Sequence, residues 1–420
     1  MAEIQPLKAL RYELSAVGSL QAVAAPPYDV IDAELRANLA ARSPFNVVEI
    51  DLPEGNGGDP YLRAETTLEA WRQQGIVTRE REPTLWALSQ KYTVPGGGET
   101  LTRRGFFCRV RIEDYGEGRI RPHERTHPGP KEDRLRLTRA TRANLSPIFS
   151  LYADPAQAAW AALEPHTGAD PYATVTDDDG TVNQLWRVED ESAIASVRET
   201  LAGEELLIAD GHHRYETARL YAEEIGGEGE HRYVLMFLVS LSDPGLTIFP
   251  THRLLTGLDE PKQRAIRDAL MGSFDVEQVD FDSVQPPAGA DGVVMGYADS
   301  FHKQPYRLTL KDDAAVAAAM PDRSEAYRRL DTAVLEALLL RGALGMSEDD
   351  ISHKRGLDYS KDFAEARGAI EQASADAAFF MRPTPVEQVQ EVAAAGESMP
   401  PKSTFFYPKV PTGLLFNPLE

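Results

Sequence analysis

Apolar positions along this chain recur with two periods, and the switches between them mark its elements. A 3.6-residue period predicts helices over Ala33–Arg42, over Tyr61–Gln74 with Leu62, Ala64, Leu68 and Trp71 inward, and over Lys131–Ala143. Further helices are expected over Ala156–Leu163, Glu189–Leu201, Glu260–Met271, Lys361–Ala375 and Val386–Ala395. A long one over Arg323–Leu340 would bury Ala326, Leu330, Val334, Leu335 and Leu338. Runs rich in β-branched and aromatic residues predict a hairpin, Thr84–Val94 and Thr100–Ile112, joined by Pro95-Gly96-Gly97-Gly98. Other strands are expected in Ser43–Asp51 after a turn, in Asn144–Tyr152, and twice in Tyr172–Val188 around Asp177-Asp178-Asp179-Gly180. His231–Leu241 and Leu246–Leu255 read as fully buried strands. Phe274–Val279, Gly292–Tyr297, Tyr306–Leu310, Ala378–Met381 and Phe405–Tyr407 complete the set. Helices and strands so interspersed predict an α+β (mixed α/β) fold. Two units are expected, residues 1–255 and 256–420, with Gln285–Ala290 as a linker inside the second.

The sharpest switch of period lies in Leu206-Leu207-Ile208-Ala209-Asp210-Gly211-His212-His213-Arg214. A buried strand turns there directly into a helix that runs to Glu224, with Asp210 expected to cap the first turn and Gly211 to permit the bend. Such a turn aims unpaired N–H groups and the positive end of the helix dipole at one point, which favours an anion. Arg214 adds a planar, permanent charge suited to phosphate. A second concentration of chemistry is Arg121-Pro122-His123-Glu124-Arg125-Thr126-His127-Pro128-Gly129-Pro130-Lys131-Glu132-Asp133-Arg134. Its prolines make it a loop, where acid–base groups and cations on irregular backbone point to function. Arg136, Arg139 and Arg142 read as a solvated helix face. His123 and His127 have a zinc-ligand spacing, but that pattern needs a helix, which Pro128 and Pro130 oppose. A divalent ion on carboxylates stays open. Pro26-Pro27 stiffens the segment presenting Tyr28 and Asp29, a pocket wall or a plain rigid loop. His252-Arg253, at a strand end, is an edge ion pair or another pocket wall.

Charge narrows the functions. The 420 residues carry a net charge of −22, which opposes non-specific binding to nucleic acid or an anionic membrane. Against that background, residues 103–142 hold twelve Arg or Lys and six Asp or Glu, a local net of +6. The single cysteine, Cys108, excludes an intrachain disulfide and suits a reducing, cytoplasmic setting, and its place in a strand predicts a buried, inert thiol. Neither a signal peptide nor an apolar run of membrane-spanning length is expected.

Several separated motifs in one order resemble the bacterial domain-of-unknown-function 1015 family. They are Pro26-Pro27-Tyr28-Asp29-Val30-Ile31, His123-Glu124-Arg125-Thr126 with Lys131 and Asp133-Arg134, Asp210-Gly211-His212-His213-Arg214-Tyr215, Thr251-His252-Arg253, and Met399-Pro400-Pro401-Lys402-Ser403-Thr404. The central motif is also similar, over that short stretch, to the ParB/sulfiredoxin superfamily, whose turn holds nucleotide phosphates. Free-serine kinases are among the members it resembles. The resemblance implies a ParB/sulfiredoxin-like nucleotide-binding core with large insertions, followed by a second mixed α/β unit. It also implies Gly211, His212, His213 and Arg214 at the phosphates, and phosphoryl transfer to a small hydroxyl substrate such as serine. Sulfiredoxin-type chemistry needs a Cys where His212 or His213 stands, so thiol chemistry is not expected. A DNA-binding branch would need a basic surface that the charge balance opposes.

The function expected is therefore a phosphotransferase: a nucleotide-dependent small-molecule kinase using ATP, ADP or CTP with Mg2+. Glu124, Asp210, His212 and His123 are its candidate catalytic residues, and Asp210 and Glu124 its candidate metal ligands. Arg125, Lys131, Arg134, Tyr28 and Asp29 are its candidate substrate contacts. A phosphoester or nucleotide hydrolase would use the same anion site, and a non-catalytic nucleotide-binding regulator would bind without turnover. The expected partners are a nucleotide and a small polar metabolite; no nucleic acid or membrane is expected, and an oligomer is compatible with the sequence.

Overall fold

The computed structural model describes residues 3–55, 57–95, 97–115, 119–123 and 129–420, without the side chains of Gly129 and Pro130. It is a mixed α/β protein whose residues divide into two compact units. Of the described residues, the first unit comprises those up to Pro122, those from Gly129 to Leu246, and Pro408–Glu420. The second contains His123 and Thr247–Tyr407. The expected boundary at 255 thus lies earlier, because Thr247–Phe249 and His252–Leu255 pair with strands of the second unit. The last segment rejoins the first unit, where Asn417–Pro418 pairs with Ala143–Asn144.

The first unit is built on a mixed sheet with the order Ile120–Pro122, Leu206–Asp210, Ile148–Tyr152, Tyr233–Ser240, Thr100–Arg111, Leu85–Thr93, Val182–Val188, Ala173–Thr176, and with Ile4–Gln5 against Thr100–Arg111. The expected hairpin is antiparallel from Trp86 opposite Phe107 to Thr93 opposite Thr100. Its apolar positions join those of neighbouring strands in a core containing Phe106, Cys108, Ile208, Met236 and Leu238, closed by Tyr215. The helix Glu191–Leu201 buries Ala193, Ile194, Val197 and Leu201 there, a spacing of three and four residues that keeps them on one face. In the second unit an antiparallel sheet runs Phe274–Gln278, Tyr306–Leu310, Val294–Asp299, Ala377–Phe380, His252–Leu255, Leu357–Ser360.

Several expectations need correction. Ser43–Asp51 ends in a short helix, Val48–Asp51, not a strand, because Asn46 accepts the Val48 amide through its side chain at 3.1 Å and starts a helical turn. Leu62 is exposed, being about 200° around the Pro60–Gln73 helix from Ala64. Leu246–Leu255 breaks at Pro250, which cannot donate to a ladder, and its two pieces join different sheets. Arg323–Leu340 is three pieces, Glu325–Arg328, Asp331–Val334 and a π-helix over Leu335–Ala343. The wider π turn rotates the apolar face, so Leu339 and Leu340 are buried while Leu338 is half-buried.

Candidate functional site

Strand Leu206–Asp210 runs antiparallel to Ile148–Tyr152 and slips register between Ile208 and Asp210. One residue later Gly211, at φ +96°, turns the chain into the helix His212–Ile225. Asp210 does not cap that helix. Gly211 occupies the cap position without a side-chain acceptor, and the Asp210 carboxylate lies 3.2 Å from Arg214 Nη2 and 3.5 Å from Lys409 Nζ. His212 is buried and His213 half-buried at the first two helical positions.

Arg214 folds back over the turn it follows. A Cβ on Gly211 would meet its Nε at 3.0 Å and its Cζ at 3.1 Å. Nη1 donates to the Pro147 carbonyl, while Nε is buried and has no acceptor among the described residues. Burial opposes the guanidinium charge, but Asp210, Asp29, Tyr28 and Asp51 outweigh it and hold the pKa above the ordinary arginine value.

The helix Gly129–Thr141 packs against His212–Ile225 and brings a second buried arginine to the same place. Lys131 pairs with Glu216 across the two helices. Arg134 donates to the Asp51 carbonyl at 2.8 Å and lies 3.3 Å from the Asp51 carboxylate, with Asp133 2.8 Å from its Nε. Its guanidinium carbon stands 4.5 Å from the centre of the Tyr28 ring, held there by the helical turn Tyr28–Val30 that follows Pro26-Pro27. Asp51, at the end of the short helix, is buried and hydrogen-bonds the Ser146 hydroxyl at 3.2 Å. Burial pushes its pKa up, while Arg134 and Arg214 pull it down without cancelling the rise.

Tyr28, Asp51, Arg134, Ser146, Arg214 and Thr217 line one cleft. The Thr217 hydroxyl is buried there without a partner among the described residues. Two arginines whose charges survive burial, beside unsatisfied donors, can accept an anionic group without new desolvation of the cations. A carboxylate of raised pKa beside them can take a proton.

Of the expected site residues, Tyr28, Arg134 and Arg214 line this cleft, Asp210 and Gly211 touch it through Arg214, Lys131 pairs with Glu216 on the neighbouring helix, and His212 and His213 open the helix that carries Arg214. Asp29 is exposed and acts on Arg214 through its charge. His123 belongs to the second unit, and Glu124, Arg125 and His127 lie outside the described residues. Among the described residues no group of three or more His, Cys, Asp or Glu is arranged to hold a metal. Asp210, between two cations, does not fit the part of a Mg2+ ligand. The phosphate end of a nucleotide does fit the arginines and the helix start.

Asp51, Ser146, Thr217 and Lys409 were not legible as site residues. Thr217 carries a signal in retrospect, since it follows Arg214 by three residues on a helix and shares its face. The other three arrive from distant segments and carry none.

A family model described as "Protein of unknown function (DUF1015)" matches residues 4–333. No curated protein matches the sequence. Solved structures similar to this one include a mutant free serine kinase in complex with AMP, at a TM-score of 0.37 and 12% identity, covering 69% of this chain and 84% of that one. A conserved hypothetical protein from Pyrococcus furiosus scores 0.37 at 14% identity, over 70% and 90%. SbnI with a C-terminal truncation, from Staphylococcus aureus, scores 0.35 at 11% identity, over 70% and 81%.

Proposed function

The chain belongs to the DUF1015 family of proteins of unknown function, so its chemistry has to be read from its own residues, and we propose that it is a nucleotide-dependent phosphotransferase acting on the hydroxyl of a small polar metabolite. Free L-serine is the first acceptor to try, with ATP, ADP or CTP as donor. The observation that carries this reading is the buried pair Arg134 and Arg214 lining one cleft at a strand-to-helix turn, with Arg214 Nε unsatisfied.

On this reading Leu206–Ala218 is a ParB/sulfiredoxin-like nucleotide turn. The amides of Gly211, His212 and His213 and the guanidinium of Arg214 bind donor phosphates. Arg134 neutralises charge on the transferring group, since phosphoryl transfer asks mainly for positioning and electrostatic stabilisation. Asp51 takes the proton of the attacking hydroxyl, for which its raised pKa is suited. Lys131 is tied to Glu216 and positions the two helices instead of touching substrate. A buried, solitary cysteine agrees with work in the cytoplasm.

The test is phosphorus NMR of the protein with magnesium, the three nucleotides and L-serine. A new phosphomonoester signal that requires serine is expected. Arg214→Ala should lower its rate by at least ~10²-fold, the scale for one preorganised charge donor. Asp51→Asn should cost ~10²–10⁴-fold, the range of a general base. Inorganic phosphate alone would replace transfer with hydrolysis, and nucleotide binding without turnover would replace both with a regulator.

A further inference from the structure

The second unit holds a constellation that this phosphoryl-transfer site leaves unused. His123, only 1% exposed, places Nε2 2.7 Å from the Thr404 hydroxyl, while Thr404 itself is half-exposed. The histidine is fixed on two further sides: its carbonyl accepts the Met399 amide at 2.7 Å, and its ring meets Phe406 edge-on at 5.8 Å. The segment carrying Thr404 is equally constrained. Lys402 adopts φ +60°, a left-handed conformation unusual for a side-chain-bearing residue. Arg253 holds that turn by donating to the carbonyls of Pro401 at 3.3 Å and Lys402 at 3.1 Å. Ser403 is locked by Thr332 at 2.9 Å and by the Pro400 carbonyl at 2.7 Å, and its own carbonyl accepts from Thr384 at 2.8 Å. Thr251-His252-Arg253 and Met399–Thr404, far apart in sequence, are therefore one assembly.

A hydroxyl in hydrogen-bond reach of an imidazole, with the base oriented by its surroundings, is the arrangement that activates a nucleophile. Strained backbone beside it is the kind of feature that collects at functional positions. Ser403, the neighbouring hydroxyl, is buried and saturated, so the geometry selects Thr404 over it. Lys402, two residues earlier in the same turn, is exposed.

We infer that Thr404 is a covalent phosphoryl acceptor, with His123 as its base and a nucleoside triphosphate as donor. The Thr404 oxygen forms the new bond to the γ-phosphorus and the bond from that phosphorus to the β-phosphate oxygen breaks. The nucleoside diphosphate leaves with the electron pair, and the hydroxyl proton passes to His123 Nε2. The product is a phosphothreonine, so modification adds negative charge to this turn.

The test is incubation of the full chain with magnesium and ATP or CTP labelled in the γ-phosphate, without small acceptor, followed by peptide mass spectrometry. Label on Thr404 is expected, retained in Thr404→Ser, absent in Thr404→Val, and at least tenfold slower in His123→Gln. Circular dichroism melts confirm that each variant is folded. No label, or equal label in Thr404→Val, overturns the assignment. Because no serine is present, this outcome is independent of whether serine is the acceptor in the cleft.

Discussion

Gly211 lacks a side chain for two separate reasons, and each is measurable. Its φ of +96° is one that a Cβ disfavours by about 1–2 kcal/mol. The space a Cβ would take is already filled by the Arg214 guanidinium, 3.0 Å away. Gly211→Ala should therefore destabilise the first unit by about that amount, seen as a lower midpoint in urea. It should also weaken nucleotide binding, because the arginine must move. Cys108 offers a contrasting residue-scale test. Burial pushes its thiol well above the usual range, so it should stay unreactive toward thiol reagents until the protein unfolds. At this scale the sequence was readable where local geometry decides: the strand, the turn and the helix around Arg214 follow from residues 206–218 alone. It was unreadable where burial decides. Asp51 is a plain acidic residue in sequence, and only the packing over it, against the pull of Arg134 and the Ser146 hydroxyl, gives it a proton-accepting character.

Among elements, the clearest sequence signals belonged to those stabilised by their own pattern. Ala33–Arg42 begins where Asp32 accepts the Leu35 amide at 2.8 Å. The 84–112 hairpin needed only its β-branched runs and glycine turn. The apolar period of Arg323–Leu340 does not reveal an i+5 ladder, in which Leu344 donates to the Leu339 carbonyl at 3.0 Å. The hairpin Ala173–Thr176 to Val182–Val188 carries a pH prediction. Burial, with help from Asp179 and Asp178, pushes the Asp177 carboxyl up to about 7, against the hydrogen bond from Asn183. The folded hairpin thus holds its proton more tightly than the unfolded chain, where a carboxyl titrates near 4. Stability should fall as pH rises from ~4 to ~7, where the folded state must give up that proton. Asp177→Asn should remove this slope and raise the midpoint by about 2–4 °C at pH 8, which calorimetry across pH would detect.

For the whole molecule, the decisive feature is the return of Pro408–Glu420 to the first unit. Arg103 is completely buried, and burial lowers its pKa to about 10; its guanidinium is satisfied in part by the Pro408 carbonyl at 2.5 Å and by Gln90. Gln90 in turn donates to the Lys409 carbonyl at 3.1 Å. Leu10 and Phe416 exchange backbone hydrogen bonds, as do Ala25 and Thr412. Ending the chain at Tyr407 should take the Pro408 carbonyl from the buried Arg103 guanidinium and leave it Gln90 alone among the described residues, at a cost of about 1–3 kcal/mol before any apolar loss. Calorimetry of that truncation should show the first unit's transition lowered or missing while that of the second persists. No pattern within residues 408–420 announces this role, since it depends on partners hundreds of residues earlier.

That return also sets the order in which a ribosome can complete the protein. Domains fold as units while synthesis proceeds. The second unit is drawn from His123 and the contiguous run Thr247–Tyr407, so it has all of these residues when Tyr407 emerges. The first unit has been accumulating since the N-terminus but still lacks the strand that pairs with Ala143–Asn144 and the carbonyls that answer Arg103. The part of the chain that is made first is therefore finished last, after the second unit already has all of its described residues.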